Sequence, residues 1–587
     1  MMGGACSRKR DQQVNEDSGN RGIYGRYCKS GSSKWLGNSI SRLAVDNKQG
    51  KTKCPSLMEL CIYKIREDID KYSSFSMLPR DISQQIFNEL VYSQCLTEVS
   101  LGAFRDCALQ DLDLGEYPGL EDSWMDVISS QELSLLSVDL SGSDVTDSGL
   151  IHLKNCTNLQ AMNFNYSDQI SDHGLEHISG LSNLATLSFR RNNQITAQGL
   201  SVLSGLVNLL KLDLERCPGI HGGLVHLKGL TKLESLNIKC CNCITDADMK
   251  PLSGLTNLKE LQISSSKVSD YGVTFLKGLH KLSLLNMEGC PVTAACLDCL
   301  AVEMCGVDLI SSLFCPALPA LLYLNLSRCN LSDDGCEKIS GNTLIAQSNL
   351  LSVMCSVGLR KLKVLNLGFN DITDAYLVHL RGLQRLRCLE LSDTEVGSNG
   401  LRHLAGLTSL VSINLSFTVV TDSGLKKLSG LASLTSLNLD ARQITDAGLA
   451  SLTSLTGLMH LDLFGARITD SGTNYLKNFK NLRSLEICGG GLTDAGVKNI
   501  KDLSSLTVLN LSQNNNLTDK TLELISGLTQ LVSLNVSNSR ITTAGLQHLR
   551  SLKNLKSLNL DSCKVTAYDI EKLQSTDLPN LVSFRPE

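Results

Sequence analysis

The amino-acid sequence predicts an α/β solenoid in which short strands and short helices alternate from about residue 96 to the C-terminus. The first observation is a recurring pattern, Leu-x-x-Leu-x-Leu-x-x-(Cys/Asn/Ser)-x-(Ile/Val)-Thr-Asp-x-Gly-Leu-x-x-Leu-x-Gly, with a clean copy at residues 410–430. The second is its constant period, because the apolar residue before Thr-Asp returns at equal intervals, as Val396, Val420, Ile444, Ile468 and Leu492. A fixed period of roughly 20–29 residues with this pattern is the signature of a leucine-rich repeat solenoid, or horseshoe.

Composition supports this fold and excludes some functions. Aromatic residues make up 4% of the chain and only 10 prolines are present, so Leu and Ile must fill the core. The formal net charge is −4, but residues 1–57 hold 11 Lys/Arg and 4 Asp/Glu, which leaves −11 for the rest. A basic tail therefore precedes an acidic solenoid. No nucleic acid is expected as a partner, because that would require a basic stripe on the repeats.

Residues 1–52 are rich in Ser, Gly, Lys and Arg, which predicts a disordered basic tail. They contain no apolar run typical of a secretory signal, so the 22 cysteines are expected to be reduced in an intracellular, cytoplasmic protein. Gly3, Cys6 and the basic run after them match an acylation motif, which keeps membrane association or a nuclear location open. The motif functions only if translation starts at Met2, because initiation at Met1 hides Gly3.

Residues 53–95 predict a helical N-terminal cap, and residues 96–587 predict about 18–19 repeats. Leu96, Val99 and Leu101 are interpreted as a shortened first strand. In each full repeat the Leu-x-Leu strand turns both Leu side chains inward, and the Thr of Thr-Asp is a helix N-cap with Asp in the first turn. Gly430 and its equivalents stand where a helix C-cap needs a left-handed residue. Short helices should cover the convex side of a parallel concave sheet.

The period breaks twice, near residues 300–317 and 342–359, where extra residues separate Val292 from Leu331 and Leu331 from Ile372. Both stretches are apolar and contain Cys, and neither carries the Leu-x-Leu and Thr-Asp pattern. A functional loop insertion is more often polar. One hypothesis is that they are non-native, such as retained intron sequence, and the alternative is an exposed apolar loop that docks a partner.

No residue is predicted to be catalytic, to bind a cofactor or to ligate a metal. Cys217, Cys241, Cys290, Cys329 and Cys563 share one turn position, where a small buried side chain suits the interior. Cys240-Cys241-x-Cys243 and Cys296-x-x-Cys299 have metal-like spacing, but no second paired cluster accompanies them. No phosphate loop, dinucleotide fingerprint, metalloprotease motif or nucleophile elbow is present. These observations argue against an enzyme.

The informative side chains are those that point out of the sheet. The residue between the two strand leucines is Asn or acidic in fifteen repeats, and is not basic in any of them. Beside it two groups are predicted to form partner-binding patches on the concave face. The first is cationic and comprises Arg190, Arg191, Arg216, Lys239 and Arg328, and the second is apolar and comprises Phe369, Phe417 and Phe464. Exposed aromatic residues one or two repeats apart are typical anchors for a protein partner. The simpler interpretation is a solvated sheet face.

The whole chain apart from the two irregular stretches resembles the plant F-box/LRR-repeat protein 14-like family of cysteine-containing repeats. That resemblance implies that the repeats bind a substrate and that an F-box binds the adaptor of an SCF ubiquitin ligase. Leu78, Pro79, Ile82, Ile86, Phe87 and Leu90, together with Asp81, match the first helix of an F-box. The later F-box helices find no match, because Leu96, Val99 and Leu101 follow at once, so the helix could equally be only the cap that a solenoid needs.

Two functions follow from the sequence. The first is a non-enzymatic, monomeric scaffold that binds a protein on its concave face, as a substrate-recognition subunit of an SCF-type ubiquitin ligase in ubiquitin-dependent protein catabolism. The alternative is a scaffold in signalling or defence, tethered to a membrane by acylation at Gly3 and Cys6, without a role in ubiquitin ligation.

Overall fold

The computed structural model describes residues 55–301, 303–304, 314–315, 318–333, 359–440 and 443–586. The predicted disordered tail and the acylation candidates Gly3 and Cys6 lie outside these residues. So do most of the two irregular stretches near 300–317 and 342–359. Within the described part, none of the helices is both long enough and apolar enough to cross a bilayer.

A single 19-stranded parallel sheet runs through the described repeats. Each strand pairs in register with the strand of the next repeat, so that equivalent residues stack into columns. The strands are β1 (Asp111–Asp113), β2 (Ser137–Asp139), β3 (Ala161–Asn163), β4 (Thr186–Ser188), β5 (Lys211–Asp213), β6 (Ser235–Asn237), β7 (Glu260–Gln262), β8 (Leu284–Asn286), β11 (Tyr323–Asn325), β12 (Val364–Asn366), β13 (Cys388–Glu390), β14 (Ser412–Asn414), β15 (Ser436–Asn438), β16 (His460–Asp462), β17 (Ser484–Glu486), β18 (Val508–Asn510), β19 (Ser533–Asn535), β20 (Ser557–Asn559) and β21 (Ser583–Arg585). Between β8 and β11, β9 (Glu303–Met304) and β10 (Phe314–Cys315) form a separate antiparallel pair.

The core lies between the sheet and the helices and is filled by stacked aliphatic side chains. Leu365 and Leu367, on either side of the outward Asn366, are buried at 2% and 1% exposure. The two-residue period of a strand places both leucines on the inner face. The same pattern repeats along the chain, and the predicted leucine-rich repeat solenoid is confirmed.

The sheet continues without a gap across both breaks in the period. β8 pairs directly with β11, through Leu285 and Leu324, although the first irregular stretch stands between them in the chain. β11 pairs directly with β12, through Leu324 and Leu365, across the second irregular stretch. The extra residues therefore do not interrupt the pairing of neighbouring strands in the sheet.

Short helical segments follow the strands. The α-helices of the described residues are α1 (Leu57–Glu67), α2 (Arg80–Tyr92), α3 (Glu98–Gly102), Asp122–Ser129, Asp147–Leu150, Asp172–Glu176, Asp246–Met249, Asp270–Val273, Ala295–Ala301, Asp422–Leu425, Asp446–Ser451, Asp494–Val497, Asp519–Ile525 and Ala567–Thr576. The 3₁₀ segments are Ile69–Lys71, Ile151–Leu153, Gly199–Gly205, Gly223–Leu227, Lys250–Gly254, Thr274–Leu276, Tyr376–Gly382, Gly400–His403, Lys426–Leu428, Gly472–Asn478 and Thr543–Ser551. The predicted Thr N-cap is present, for example where Thr445 Oγ1 accepts the N–H of Ala447 at 3.3 Å.

The Asp of Thr-Asp does more than start its own helix, because it joins its repeat to the next one. Asp422 Oδ1 accepts the backbone N–H of Thr445 at 2.8 Å, and Asp422 Oδ2 accepts the Thr445 hydroxyl at 2.6 Å. The same two bonds recur at the pairs Asp122–Thr146, Asp147–Ser171, Asp172–Thr196, Asp246–Ser269, Asp270–Thr293, Asp333–Thr373, Asp446–Thr469, Asp470–Thr493, Asp494–Thr518 and Asp519–Thr542. We call this row of residues the Asp ladder.

The two recurrent glycines of each repeat have different surroundings. Gly448, in Asp-x-Gly, packs against the ladder, because a Cβ there would overlap Asp422 Oδ1 of the preceding repeat. The prediction that Gly430 and its equivalents are left-handed is wrong, since none of them has a positive φ. At the equivalent site the next residue, Leu206, forms an inverse γ-turn with φ −87° and ψ 58°, and Val207 N–H donates to the Gly205 carbonyl at 3.0 Å.

Helices α1, α2 and α3 cover the open end of the core next to β1. Arg66 on α1 bonds Glu89 on α2 at 2.6 Å, and Phe87 packs edge-on against Phe104 with centroids 5.6 Å apart. Gln84 on α2 occupies the free edge of the sheet, because its amide donates to the Asp111 carbonyl at 2.6 Å and accepts the N–H of Gln110 at 2.9 Å. The side chain of Gln84 thus replaces the missing strand at that edge.

The interpretation of Leu96, Val99 and Leu101 as a first strand is wrong. Thr97 caps α3, in which Leu101 is buried while Val99 is 87% exposed. An apolar spacing of three and two residues fits one helical turn as well as a strand, and the capping box of Thr97 and Ser100 decides for the helix. The sheet therefore begins only at β1, one element later than predicted.

Candidate functional site

The candidate site is the outer face of the sheet together with the turn that leaves it. Three columns matter: the strand-end column, which is the last residue of each strand, the pre-turn column two residues further on, and the turn column three residues further on. Phe369 is the turn-column residue of β12, and its φ of 58° is left-handed. The other described turn-column residues share this conformation, namely Glu116, Gly142, Tyr166, Arg191, Arg216, Cys240, Ser265, Gly289, Arg328, Asp393, Phe417, Gly465, Gly489, Gln513, Asn538 and Ser562.

A left-handed backbone is costly for a residue with a side chain, at about 1–2 kcal/mol. The turn keeps it because, from Glu116 to Asn538, the N–H of each described turn-column residue donates to the next repeat. Phe369 N–H bonds the Ser392 carbonyl at 2.8 Å, and Arg191 N–H bonds the Glu215 carbonyl at 2.7 Å. The backbone of this column is therefore held rigidly and presents its side chains at a fixed place in every repeat.

The predicted site residues fall into these columns. Arg191, Arg216, Arg328, Phe369 and Phe417 are turn-column residues, so the structure gives all five the same backbone environment. The remaining three, listed here, lie in the pre-turn column: Arg190, Lys239 and Phe464. The sequence placed them on the sheet face, and the structure places them at its edge, where each strand ends.

The Asn-rich strand-end column is explained by its own turn. Asn366 Oδ1 accepts the N–H of Gly368 at 3.0 Å, and Asp462 Oδ1 accepts the N–H of Phe464 at 2.9 Å. The same bond forms at most strand ends, and it requires a side-chain oxygen. Lys and Arg side chains have no hydrogen-bond acceptor, which is why neither residue occupies the strand-end position in these fifteen repeats. The strand-end residue of β21 is Arg585, which departs from this pattern.

The predicted cationic patch is partly neutralised by a carboxylate that the sequence reasoning did not single out. Glu215, buried at 6% exposure, forms an ion pair with Arg190 and accepts from Asn237 Nδ2 at 3.3 Å. The Nε atom of Arg216 lies 4.0 Å from Glu215 Oε1. Glu215 stands in the pre-turn column next to Arg216, so column position, rather than residue type, was the signal that could have found it.

Two arginines stack on aromatic rings of the neighbouring repeat. The Arg191 guanidinium lies 5.4 Å from the centroid of Tyr166, and the Arg328 guanidinium lies 4.3 Å from the centroid of Phe369. Both are cation–π contacts between adjacent turn-column residues. Arg328, predicted as part of the cationic patch, therefore belongs with the aromatic residues. Tyr166 was missed, although it shares the spacing of the other turn residues.

The aromatic group stays open to solvent. Phe369, Phe417 and Phe464 are exposed at 42%, 66% and 36%, and Val419 beside Phe417 is exposed as well. They follow β12, β14 and β16, so each ring is two strands away from the next. Exposed phenyl rings on every second repeat of one sheet face are unusual for a solvated surface.

Carboxylates share this half of the sheet face with the three rings. From β12 to β20 the outward residues of each strand, the pre-turn column and the turn column contain Glu390, Asp393, Asp440, Asp462, Glu486 and Asp561, and none of these positions holds Lys or Arg. Burial and the nearby Glu486 raise the pKa of Asp462 to about 6. Burial also raises the pKa of Glu390. This half of the face is apolar and acidic, whereas the face near β4 to β6 carries the arginines.

The cysteines of the shared turn position point inward and bind the preceding repeat. Cys217 Sγ lies 3.1 Å from the Phe189 carbonyl and Cys241 Sγ lies 3.1 Å from the Leu214 carbonyl. Asn370 donates to the Leu326 carbonyl at 2.8 Å from the same position. Burial raises the pKa of Cys217 to about 12, so its thiol stays protonated. Among the described residues, no group of three or more His, Cys, Asp or Glu side chains could hold a metal.

Three of the seven residues that match an F-box helix pack inside the cap. Ile86, Phe87 and Leu90 are buried at 1% or less and pack in the core. The other four matching residues are at the surface: Leu78 and Ile82 are half-buried, and Pro79 and Asp81 are exposed.

Comparisons with known proteins agree with the fold. A family model described as leucine rich repeat matches residues 231–292 and 480–541, and a second with that description matches residues 133–153, 318–340, 358–375 and 406–429. No curated protein matches the chain. Among solved structures, the mouse RP105/MD-1 complex is similar with a TM-score of 0.52 at 18% identity, over 82% of this chain and 80% of that one.

Two bacterial structures are also similar. A leucine-rich repeat protein of Leptospira interrogans matches at 18% identity and a TM-score of 0.46, over 78% of this chain and 97% of that one. An internalin from Listeria monocytogenes matches at 22% identity and a TM-score of 0.38, over 69% and 87%. At such low identity, likeness to a solved structure concerns the fold alone.

Proposed function

Because the chain is a leucine-rich repeat protein, we propose that it is a non-enzymatic scaffold that binds a protein partner on the concave face of its sheet. The observation that carries the proposal is the row of exposed rings at Phe369, Phe417 and Phe464, each fixed by a hydrogen-bonded turn. Rigid aromatic side chains lose little entropy on binding and are enriched among the residues that dominate interface energies.

The absence of enzymatic activity is part of the proposal and rests on how the reactive side chains are used. The Asp ladder is occupied by the Thr and Ser of the next repeat. Cys217 and Cys241 are buried and donate to carbonyls, and burial raises the pKa of both thiols. A scaffold needs these groups only for the fold, and general acid–base or nucleophilic catalysis would need them free at a cleft.

Affinity purification of the full chain followed by mass spectrometry tests the proposal. The wild type is compared with a Phe369→Ala/Phe417→Ala double variant and with Tyr568→Ala, which removes a ring of similar exposure from the last helix. Proteins that bind through the concave face should be lost from the double variant and retained by Tyr568→Ala. Equal recovery by all three would contradict a concave binding site.

The finer proposal is that the scaffold is the substrate-recognition subunit of an SCF-type ubiquitin ligase. It is supported by the resemblance of α2 to the first F-box helix and by the surface of Leu78, Pro79 and Ile82. Exposed Met77, next to them, adds apolar area at the same end of α2. Co-purification with the SCF adaptor should occur and should be lost in a Leu78→Ala/Pro79→Ala variant. No adaptor in the wild-type complex would remove this role and leave α2 as a cap.

The alternative is a membrane-tethered scaffold in signalling or defence. It is favoured by the sequence from Met2 to Ser7, in which Gly3 and Cys6 match an acylation motif, and by the basic run that follows. Tethering predicts that the wild type sediments with membranes and that Gly3→Ala moves it to the supernatant. Identical fractionation of the two proteins would exclude the tether and leave the proposed cytoplasmic location.

A further inference from the structure

Aromatic and acidic side chains alternate along five consecutive strands of the concave face. In the turn column, Phe369 follows β12, Asp393 follows β13 and Phe417 follows β14. One position earlier, in the pre-turn column, Asp440 follows β15 and Phe464 follows β16. The five residues follow consecutive strands, three in the turn column and two in the pre-turn column, and we call them the Phe–Asp row. Its period is two strands.

The spacing of the row matches one class of extended peptide. Neighbouring strands lie about 4.8 Å apart, so Phe369, Phe417 and Phe464 recur about every 9.6 Å. A polyproline II segment rises about 3.1 Å per residue with three residues per turn, so its residues i, i+3 and i+6 lie on one side about 9.3 Å apart. In a β-strand only every second side chain points to the same side. Anchors of a β-strand ligand would therefore be at i and i+2 or at i and i+4, which are about 7 or 13 Å apart.

The charge of the surface selects the residues between the anchors. The outward positions from β12 to β20 carry six carboxylates and neither Lys nor Arg. Asp393 lies between the rings of Phe369 and Phe417 and is exposed. A ligand with Lys or Arg between its apolar anchors would place a cation over a carboxylate at each odd strand, and an acidic ligand would be repelled.

We propose that the Phe–Asp row binds an extended basic segment of a partner protein that carries an apolar side chain at every third residue. This proposal rests on the proposed scaffold function and gives the partner its chemistry. Each anchor of the segment packs on one phenyl ring, and the basic residue between the first two anchors faces Asp393. Arg328, which stacks on Phe369 at the start of the row, repels the basic residues of the segment and sets the end of the site at β11.

Synthetic peptides test the proposal with the full chain. The probe is a fluorescein-labelled peptide of four Lys-Phe-Pro units, which favours polyproline II and places Phe at every third residue. One control peptide replaces Lys by Glu, and another is four Lys-Phe-Gly-Pro units, which moves Phe to every fourth residue. Fluorescence anisotropy should detect binding of the first peptide, at least 10-fold weaker binding of the others, and weakening as NaCl rises from about 50 to 500 mM.

Two pairs of variants locate the binding site. Phe417→Ala should weaken binding of the Lys-Phe-Pro peptide at least 10-fold, and its control Tyr568→Ala should not. Asp393→Asn should weaken binding about 3-fold or more, and its control Asp561→Asn, a carboxylate that follows β20 on the same face, should not. Asn tolerates the left-handed conformation of residue 393, and circular dichroism should show that all four variants are folded.

Three outcomes would overturn the proposal. The first is equal binding of the Lys and Glu peptides, and the second is unchanged binding by Phe417→Ala. The third is a ring row already occupied by a second copy of the chain or by its own basic N-terminal residues, detected as dimerisation or as protection from protease that Phe417→Ala abolishes. If the peptides fail while the Phe369→Ala/Phe417→Ala variant still loses its captured proteins, the scaffold function stands and only the partner chemistry is wrong.

Discussion

The carboxylates that start the helices and those that end the strands are spaced by the same repeat, yet their environments differ. Asp470, at a helix start, accepts the N–H of Thr493 at 2.8 Å and its hydroxyl at 2.6 Å. Asp462, at a strand end, accepts the N–H of Phe464 at 2.9 Å and lies near Glu486, which raises its pKa together with burial. Asp470 therefore stabilises the contact between two repeats, whereas the ionised form of Asp462 lowers the stability of the fold.

The direction of the pKa shift expresses this difference. Burial alone would raise the pKa of Asp494 in the ladder, but hydrogen bonds from Thr518 and Thr521 outweigh it and lower the pKa below its usual value. Donors thus stabilise the charged form on the helix side, while the sheet face offers Asp462 one donor and a like charge. Carboxylates retained at a cost are typical of functional surfaces, and here they surround the exposed rings.

The largest effect on folding is expected from breaking the ladder. Asp470→Ala removes two hydrogen bonds to a charged acceptor and leaves the Thr493 N–H and hydroxyl without it. The free energy of unfolding should fall by about 3 kcal/mol, since such bonds contribute about 1.5–3 kcal/mol each. Urea unfolding followed by circular dichroism measures it, and hydrogen exchange should locate the loss at the repeats around residue 493. A change below about 0.5 kcal/mol, the size expected of a substitution at an unimportant surface site, would show that the ladder is not stabilising.

A pair of glycine substitutions in neighbouring repeats comes next. Gly448→Ala should destabilise the fold by about 2 kcal/mol, because its Cβ overlaps the ladder carboxylate of Asp422. Gly430→Ala should be neutral or stabilise by about 0.5 kcal/mol, since its φ is not left-handed and its Cβ meets nothing within 4 Å. Thermal unfolding of the two variants separates them. Similar losses at both positions would contradict the contact with the ladder.

Opposite pH dependences should separate the two rows of carboxylates. The raised pKa of Asp462 means that wild-type stability falls as pH rises from about 4 to about 6, so Asp462→Asn should stabilise by about 1–2 kcal/mol at pH 7 and have no effect near pH 4. The lowered pKa of Asp494 means that its contribution is present above about pH 4 and is lost on acidification, so Asp494→Asn should destabilise at pH 7. Urea unfolding at pH 4 and pH 7 measures both, and effects of the same sign would refute the distinction.

The smallest effect on folding is expected at the rings beside the strand-end carboxylates. Phe417→Ala should change the free energy of unfolding by less than about 0.5 kcal/mol, because the ring is 66% exposed. Phe189→Ala, at a fully buried ring stacked on Phe164, should cost about 3–5 kcal/mol. Denaturation midpoints of the two variants give the comparison. A large loss at Phe417 would mean that its ring serves the fold rather than a partner.

Several features were predictable because they depend on periodicity. The repeated pattern predicted the strands, the inward leucines and cysteines, and the Thr caps, since each depends on residues close together in one repeat. The same local argument failed at Gly430 and its equivalents, where an inverse γ-turn at the following residue replaces the left-handed cap. It also failed at Val99 and Leu101, which lie in helix α3. A three-residue apolar spacing does not by itself distinguish a turn of helix from a strand.

The candidate site was predicted in part. The sequence identified Phe369, Phe417 and Phe464 by type and placed them on the sheet face. It did not show that Arg328 stacks on Phe369, that Arg190 is paired with Glu215, or that the described residues of the turn column are left-handed. Those contacts join neighbouring repeats, so they depend on the register between strands.

By itself the sequence determined the solenoid, because a fixed period obliges equivalent residues to stack once strands pair in register. Only the tertiary structure decided which of those residues bond within the fold and which stay exposed. Asp422 and Asn414 recur with the same period, but one is bonded to the next repeat and the other closes its own turn. The side chain of Phe417 makes neither kind of bond. The physical reason is geometric, because its left-handed backbone is bonded to the next repeat while its ring projects into solvent.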